Sequence, residues 1–110
     1  MIRKCSGVLI FLISAAVSNT AVAGDIKAGR QKALICQTCH GLNDGLAKLP
    51  EAPNLAGQSE FYLINSLKAY KTGERKNDMM SAVAPALSQN DIEDLAAYFA
   101  AIKFTIEPNQ

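Results

Sequence analysis

Residues 36–40 read Cys-Gln-Thr-Cys-His, and no other stretch of the chain carries as much chemistry. On a helical turn, positions i, i+3 and i+4 are surface neighbours. Cys36, Cys39 and His40, the single histidine of the sequence, therefore share one face if the segment is helical. Three arrangements use such a set: a redox-active dithiol, part of a metal site, and the C-x-x-C-H seat of a covalently attached haem. Each demands different surroundings, so the rest of the chain has to choose among them.

The chain has 110 residues, which sets one domain as the prior. Its first 23 residues read as a leader rather than as part of that domain. Arg3 and Lys4 form a positive start, Gly7 to Val17 is an unbroken apolar or small run, and Ala21-Val22-Ala23 fits a small-x-small cleavage site before Gly24. The apolar run of 11 residues is far short of the roughly 20 that a spanning helix needs. Residues 1–23 are thus expected to be a cleaved secretory signal peptide, without stable membrane insertion, and residues 24–110 the mature domain in the periplasm. Cys5 precedes the apolar run and leaves with the leader. Removal of Arg3 and Lys4 takes the formal charge from +1 to −1. That balance lacks the basic excess of a nucleic-acid-binding protein.

Two cysteines then remain in an exported chain, where pairing is common. A bridge between Cys36 and Cys39 closes too short a loop to constrain the unfolded chain much. A domain of 87 residues still needs some staple beyond its own core.

The mature chain shows no repeat, no low-complexity tract and no run alternating with period two, so the expectation is all-α. A first helix is predicted over about Asp25 to Cys39, with Ile26, Gly29, Ala33 and Cys36 along one face and Asp25 at the positive end of the dipole. Gly29 inside it costs about 1 kcal/mol relative to Ala, a cost that a close helix crossing would explain. A second helix spans about Ser59 to Lys71, with Ser59 as N-cap, Leu63, Ile64, Leu67 and Tyr70 as its apolar stripe, and Gly73 as its stop. The third starts at Ser88, with Asp91 placed for a capping box. Ile92, Leu95, Ala96, Phe99 and Ile102 follow on its buried face, and Pro108 lies beyond its end. Between the first two lies a long segment, Gly41 to Gln58, with Pro50, Pro53 and several glycines; a second irregular stretch, Gly73 to Met80, leads into an apolar run, Ser81 to Leu87. Loops of that length in so small a domain need something to hold them.

These surroundings discriminate. A thioredoxin-like dithiol belongs beside a βαβ pattern and near a helix N-terminus, whereas this pair falls near a helix C-terminus in a chain without strands. Structural zinc requires four ligands, and two Cys with one His supply three. Haem remains: two thiols add to one porphyrin edge while the adjacent imidazole reaches the iron. For the sixth position the remaining soft donors are Met79 and Met80, adjacent on a polar loop after Glu-Arg-Lys-Asn-Asp and poorly explained as core. A thioether ligand favours ferrous iron and raises the potential.

The segments Gly24–Gly29 (GDIKAG), CQTCHG, PNLAGQ, FYLINSL, YKTGERKNDMM and LSQNDIEDLAAYFAAI, in this order and spacing, resemble the class I cytochromes c, and most of all one half of the c4-type proteins. The likeness covers nearly the whole mature chain. It implies a small class I cytochrome c fold, helices wrapped around one covalently bound haem. It implies Met80 rather than Met79 as ligand, because Arg75, Asn77 and Met80 fit an Arg-x-Asn-x-x-Met pattern. It implies that the Pro53 carbonyl accepts the imidazole Nδ1–H of His40, that Gly29 marks the crossing of the first and last helices near Tyr98 and Phe99, and that Tyr62 with Leu63 helps wall the haem pocket. Two departures stand out. A c4-type protein has two halves and two haems, while this chain has one attachment motif, so one haem c per chain is implied and any two-haem unit requires a dimer. A glutamine usual in the middle helix is Ser66 here.

The resemblance implies a periplasmic carrier of single electrons rather than an enzyme, a monomer or weak homodimer, whose partners are redox proteins such as a terminal oxidase or a periplasmic dehydrogenase. Two alternatives go with it: an electron-transfer subunit of a larger oxidoreductase, for example a flavocytochrome sulfide dehydrogenase, and a gas-binding haem sensor in which Met80 dissociates. Lys68, Lys71, Arg75 and Lys76 form a basic rim that is either a steering surface for an acidic partner or ordinary solvated charge.

Overall fold

A computed structural model describes residues 23–41 and 45–105. The leader expected over residues 1–23 lies, apart from Ala23, outside the described residues, as does Pro108. The described residues form five α-helices, α1 (Ile26–Lys32), α2 (Leu34–His40), α3 (Glu60–Thr72), α4 (Met80–Val83) and α5 (Gln89–Ala101), with a 3-10 turn at Ala84–Ala86 between α4 and α5. No strand occurs among them.

The helix starts follow from local chemistry. Asp25 caps α1, its carboxylate accepting from the Lys27 and Ala28 amides at 2.8 and 3.0 Å. Ser59 caps α3 through the Tyr62 amide at 3.4 Å. At α5 the capping box is complete, with the Asp91 amide donating to Ser88 Oγ at 3.1 Å and the Ser88 amide to Asp91 Oδ2 at 2.8 Å. Gly73 ends α3 in the left-handed region at φ 80°, where a side chain would be strained.

The single helix predicted over Asp25 to Cys39 is two helices. They join at Ala33, where the Cys36 and Gln37 amides both donate to the Ala33 carbonyl and tighten the turn. Ala33 is wholly buried, so the tight turn sits against the core and redirects the segment that follows. Gly29 and Ala33 do face inward, but Ile26 is 53% exposed, contrary to its place in the predicted stripe. The four-residue α4 and the 3-10 turn also went unpredicted, being too short to show a period.

The core gathers where α1 and α3 pack on α5. Ala33, Leu63, Leu87, Ile92, Leu95, Ala96, Tyr98 and Phe99 form it, with Cys36, Leu55, Ile64, Leu67 and Ile102 packed around. The crossing of α1 and α5 needs Gly29. A Cβ there would lie 1.9 Å from the Asp94 carbonyl oxygen and 2.8 Å from Tyr98 Cβ, so only a glycine lets the two backbones meet. The same crossing is fastened by the Asp25 amide donating to Asp94 Oδ1 at 2.8 Å and by Lys32, which pairs with Asp91 at 2.7 Å and Asp94 at 3.4 Å.

The 45–58 part of the long segment is tied down by main-chain bonds. Leu55 and Ala56 donate to the Gly45 carbonyl, Lys48 to that of Cys39, and Gly57 to that of Phe99. Asn54 Oδ1 accepts from the Ala47 amide at 2.6 Å, and its carbonyl from Gln58 Nε2 at 2.7 Å. Loop and helices together leave one face of α2 looking across a gap at the segment that carries the methionines.

A candidate haem site between α2 and the methionine segment

That gap is a cavity of about 560 Å³, within the range of ~300–1,000 Å³ typical of small-molecule sites. Cys36, Cys39 and His40 line it from α2, Pro53 from the long loop, Tyr62 from α3, and Met79 and Met80 from the far side. Every site residue expected from the sequence is thus brought to one place. Apolar side chains of Leu55, Leu63, Leu67, Val83, Leu95 and Phe99 fill in the walls.

His40 is 7% exposed, and a buried imidazole needs a partner. It has one: Nδ1 lies 2.8 Å from the Pro53 carbonyl oxygen. A carbonyl only accepts, so Nδ1 carries the proton and donates it. In the neutral ring Nε2 then keeps its lone pair. A hydrogen bond of this kind fixes the ring of a metal-ligating histidine and raises its basicity. The arrangement suits an iron ligand reached through Nε2.

Cys36 and Cys39 are both free thiols and half-buried. Burial, reinforced by neighbouring Cys39, pushes the Cys36 thiol up to about 11. A redox dithiol works the other way, through a lowered thiol pKa, so the dithiol alternative finds no support here. Zinc fares no better: among the described residues no group of three or more His, Cys, Asp or Glu is arranged around a common metal position.

The two methionines differ. Met79 is 63% exposed, whereas Met80 is half-buried at the start of α4. Asn77 sets their backbone, its Oδ1 accepting from the Met79 and Met80 amides at 3.1 and 3.0 Å. A large apolar crevice with two thiols and an anchored imidazole on one wall and a thioether on the other fits a thioether-linked haem.

Sequence reasoning missed a polar row on the same cavity. The Arg75 guanidinium carbon lies 4.7 Å from the Tyr70 ring centroid, and Nη1 donates to Ser66 Oγ at 3.4 Å. Arg75, and after it Ser66, hold the Tyr62 phenol below its ordinary pKa. Lys71 is likewise engaged, its ammonium donating to the Pro85 and Leu87 carbonyls. All four cations of the expected basic rim are exposed, and two of them, Arg75 and Lys71, also bond within the chain. The spacing of 62, 66 and 70 was the available signal; what lies along that row depends on where the next loop returns.

Comparisons with known proteins agree with this geometry. The sequence pattern of the cytochrome c family matches residues 26–103. Cytochrome c-554(548) of Halomonas halodenitrificans is 47% identical over 81 residues, covering 71% of this chain and 96% of that protein. The crystal structure of reduced recombinant cytochrome c4 from Pseudomonas stutzeri superposes with a TM-score of 0.69 at 38% identity, over 76% of this chain and 48% of that one. The chain thus spans about half the length of a cytochrome c4. A thiosulfate dehydrogenase electron acceptor from Stutzerimonas stutzeri is 41% identical over 68 residues, covering 59% of this chain and 31% of that protein. On the matched pattern, the extent of identity and the shared helical architecture, this chain belongs to the cytochrome c family and has the class I fold of the c4-type proteins.

Proposed function

We propose that this member of an electron-transfer family is a periplasmic carrier whose single covalently bound haem c is held by Cys36 and Cys39 and ligated by His40 and Met80. When bound, the haem supplies a one-electron couple. The chain supplies everything else. Cys36 and Cys39 offer the thiols for attachment, and the Pro53 carbonyl holds the His40 ring with Nε2 free for the metal. Met80 offers a soft donor that favours the reduced state, and the apolar walls keep water out.

The observation that carries this reading is the 2.8 Å bond from His40 Nδ1 to the Pro53 carbonyl, which leaves Nε2 available for a metal beside a cavity shared with Met80. An exported address is supported by the leader pattern of residues 1–23. Among the described residues no helix is long and apolar enough to cross a membrane. No step in this reading needs a nucleophile or a general base, so the protein is proposed to carry electrons without being an enzyme. Its partners are redox proteins.

Optical spectra of the purified holoprotein test the ligation. Low-spin spectra in both oxidation states, with a far-red sulfur-to-iron band in the ferric form that Met80→Ala abolishes and Met79→Ala keeps, are the expected result. A high-spin wild type that takes up carbon monoxide readily would turn the reading toward a gas-binding haem. The relative named as a thiosulfate dehydrogenase electron acceptor favours a second reading, in which the electrons come from a dehydrogenase of sulfur compounds. Rapid reduction by such an enzyme supplied with thiosulfate supports it; reduction no faster than with thiosulfate alone removes it.

A further inference from the structure

The Arg75 side chain, though exposed, is engaged along α3. The guanidinium covers the Tyr70 ring, donates to Ser66 Oγ and depresses the Tyr62 phenol. Tyr62, Ser66 and Tyr70 stand at i, i+4 and i+8, one row on the helix surface. The main chain of the same residue is fastened as well, the Arg75 amide donating to the Ala69 carbonyl at 3.0 Å. Two residues on, Asn77 receives the Met79 and Met80 amides, and its own amide donates to Ser81 Oγ at 3.0 Å. The short run of main chain from Arg75 to Asn77 therefore links the face of α3 to the backbone of Met80. At the other end of the segment, Lys71 grips the Pro85 and Leu87 carbonyls, so the methionine segment is strapped to α3 on both sides of Met80.

We infer that Arg75 is a positioning residue for the axial bond: its guanidinium, laid along the Tyr62–Ser66–Tyr70 row, holds Met80 at the iron and keeps outside ligands away from that position. The inference rests on the Met80 ligation proposed above. Arginine suits the task because a planar fork stacks on an aromatic face and donates in its own plane at once, which a lysine ammonium does not do. Serine at 66 is short, so it offers an acceptor without filling the row that the guanidinium occupies.

The test uses ferric holoprotein, with two readouts local to the axial bond: imidazole affinity, and the pH at which the sulfur-to-iron band disappears. Arg75→Ala is expected to bind imidazole about tenfold more tightly, equivalent to about 1.4 kcal/mol, and to lose the band at lower pH. Arg75→Lys is expected to behave like Arg75→Ala, and Tyr62→Phe to shift both readouts the same way by less. Lys32→Met, which loosens the remote α1–α5 crossing, should leave imidazole affinity unchanged. Wild-type affinity in Arg75→Ala overturns the inference, as does full rescue by Arg75→Lys, which would make charge and not the fork the operative property. Should Arg75→Ala not assemble with haem, Tyr62→Phe decides alone, and an affinity equal to wild type overturns the inference. A wild type without the sulfur band overturns both this and the Met80 ligation, and shows itself before any variant is made.

Discussion

At the scale of single residues, a few side chains each do a task that no neighbour shares. Asn77 is one. Its Oδ1 takes two amides at the start of α4, the work of an N-cap done from a short side chain. Asn77→Ala leaves both donors without that acceptor and is expected to lower stability by about 1 kcal/mol, read as a smaller denaturant midpoint for the holoprotein with an unchanged slope. Gly29 is another, for a steric reason. With a Cβ only 1.9 Å from the Asp94 carbonyl oxygen, Gly29→Ala has to push α1 off α5 despite its better helix propensity. The expected outcome is a loss of about 1–3 kcal/mol in denaturant unfolding; a stabilised protein would contradict so close a crossing.

At the scale of elements, α5 is the member against which the others are set. Its start is specified twice, by the Ser88–Asp91 capping box and by Lys32 reaching across from α1. Ser88→Ala is expected to cost about 1 kcal/mol in thermal or denaturant unfolding. The ion pair makes a pH prediction with a definite sign. Hydrogen bonding to Lys32 first, and to Ser88 next, holds the Asp91 carboxyl at about 2 against an ordinary 3.8. A carboxyl lowered on folding stabilises above its unfolded value, and that contribution fades as pH falls through the folded one. Lys32 is raised from 10.5, chiefly by its bond to Asp91, so its share persists until pH climbs beyond that value. The melting temperature of Lys32→Met should therefore lie below wild type across the neutral range, and the gap should close between pH 3.8 and about 2. The side chains are partly exposed, so the gap will be modest and reduced by salt.

At the scale of the whole molecule, the protein interior is thin. Ile92 and Leu95 are the largest side chains wholly buried among the described residues, while a cavity of about 560 Å³ separates α2 from the methionine segment. A domain this small needs a staple, and a haem held in that cavity would be one. Cys36→Ala/Cys39→Ala, prepared without haem, is expected to lack near-ultraviolet circular dichroism and a cooperative melt, as in a collapsed chain without fixed packing. A sharp transition would show instead that α1, α3 and α5 fold unaided. Much of this was legible beforehand because it is local. The C-x-x-C-H spacing, the capping residues Ser59 and Ser88, the stop at Gly73 and the apolar stripe of α5 depend on neighbours a turn away, where sequence distance and spatial distance agree. The break at Ala33, the exposure of Ile26 and the two short helical turns at 80–86 were not, since each reflects how a segment meets the core rather than its own periodicity. The sequence by itself determined that the chain is helical, that its chemistry centres on residues 36–40, and that Met79 or Met80 stands opposite. Only the tertiary structure decided that Met80 is the less exposed of the two and that Arg75 lays its guanidinium on the Tyr62–Ser66–Tyr70 row, because each joins residues that meet only once the loops have closed on the helices.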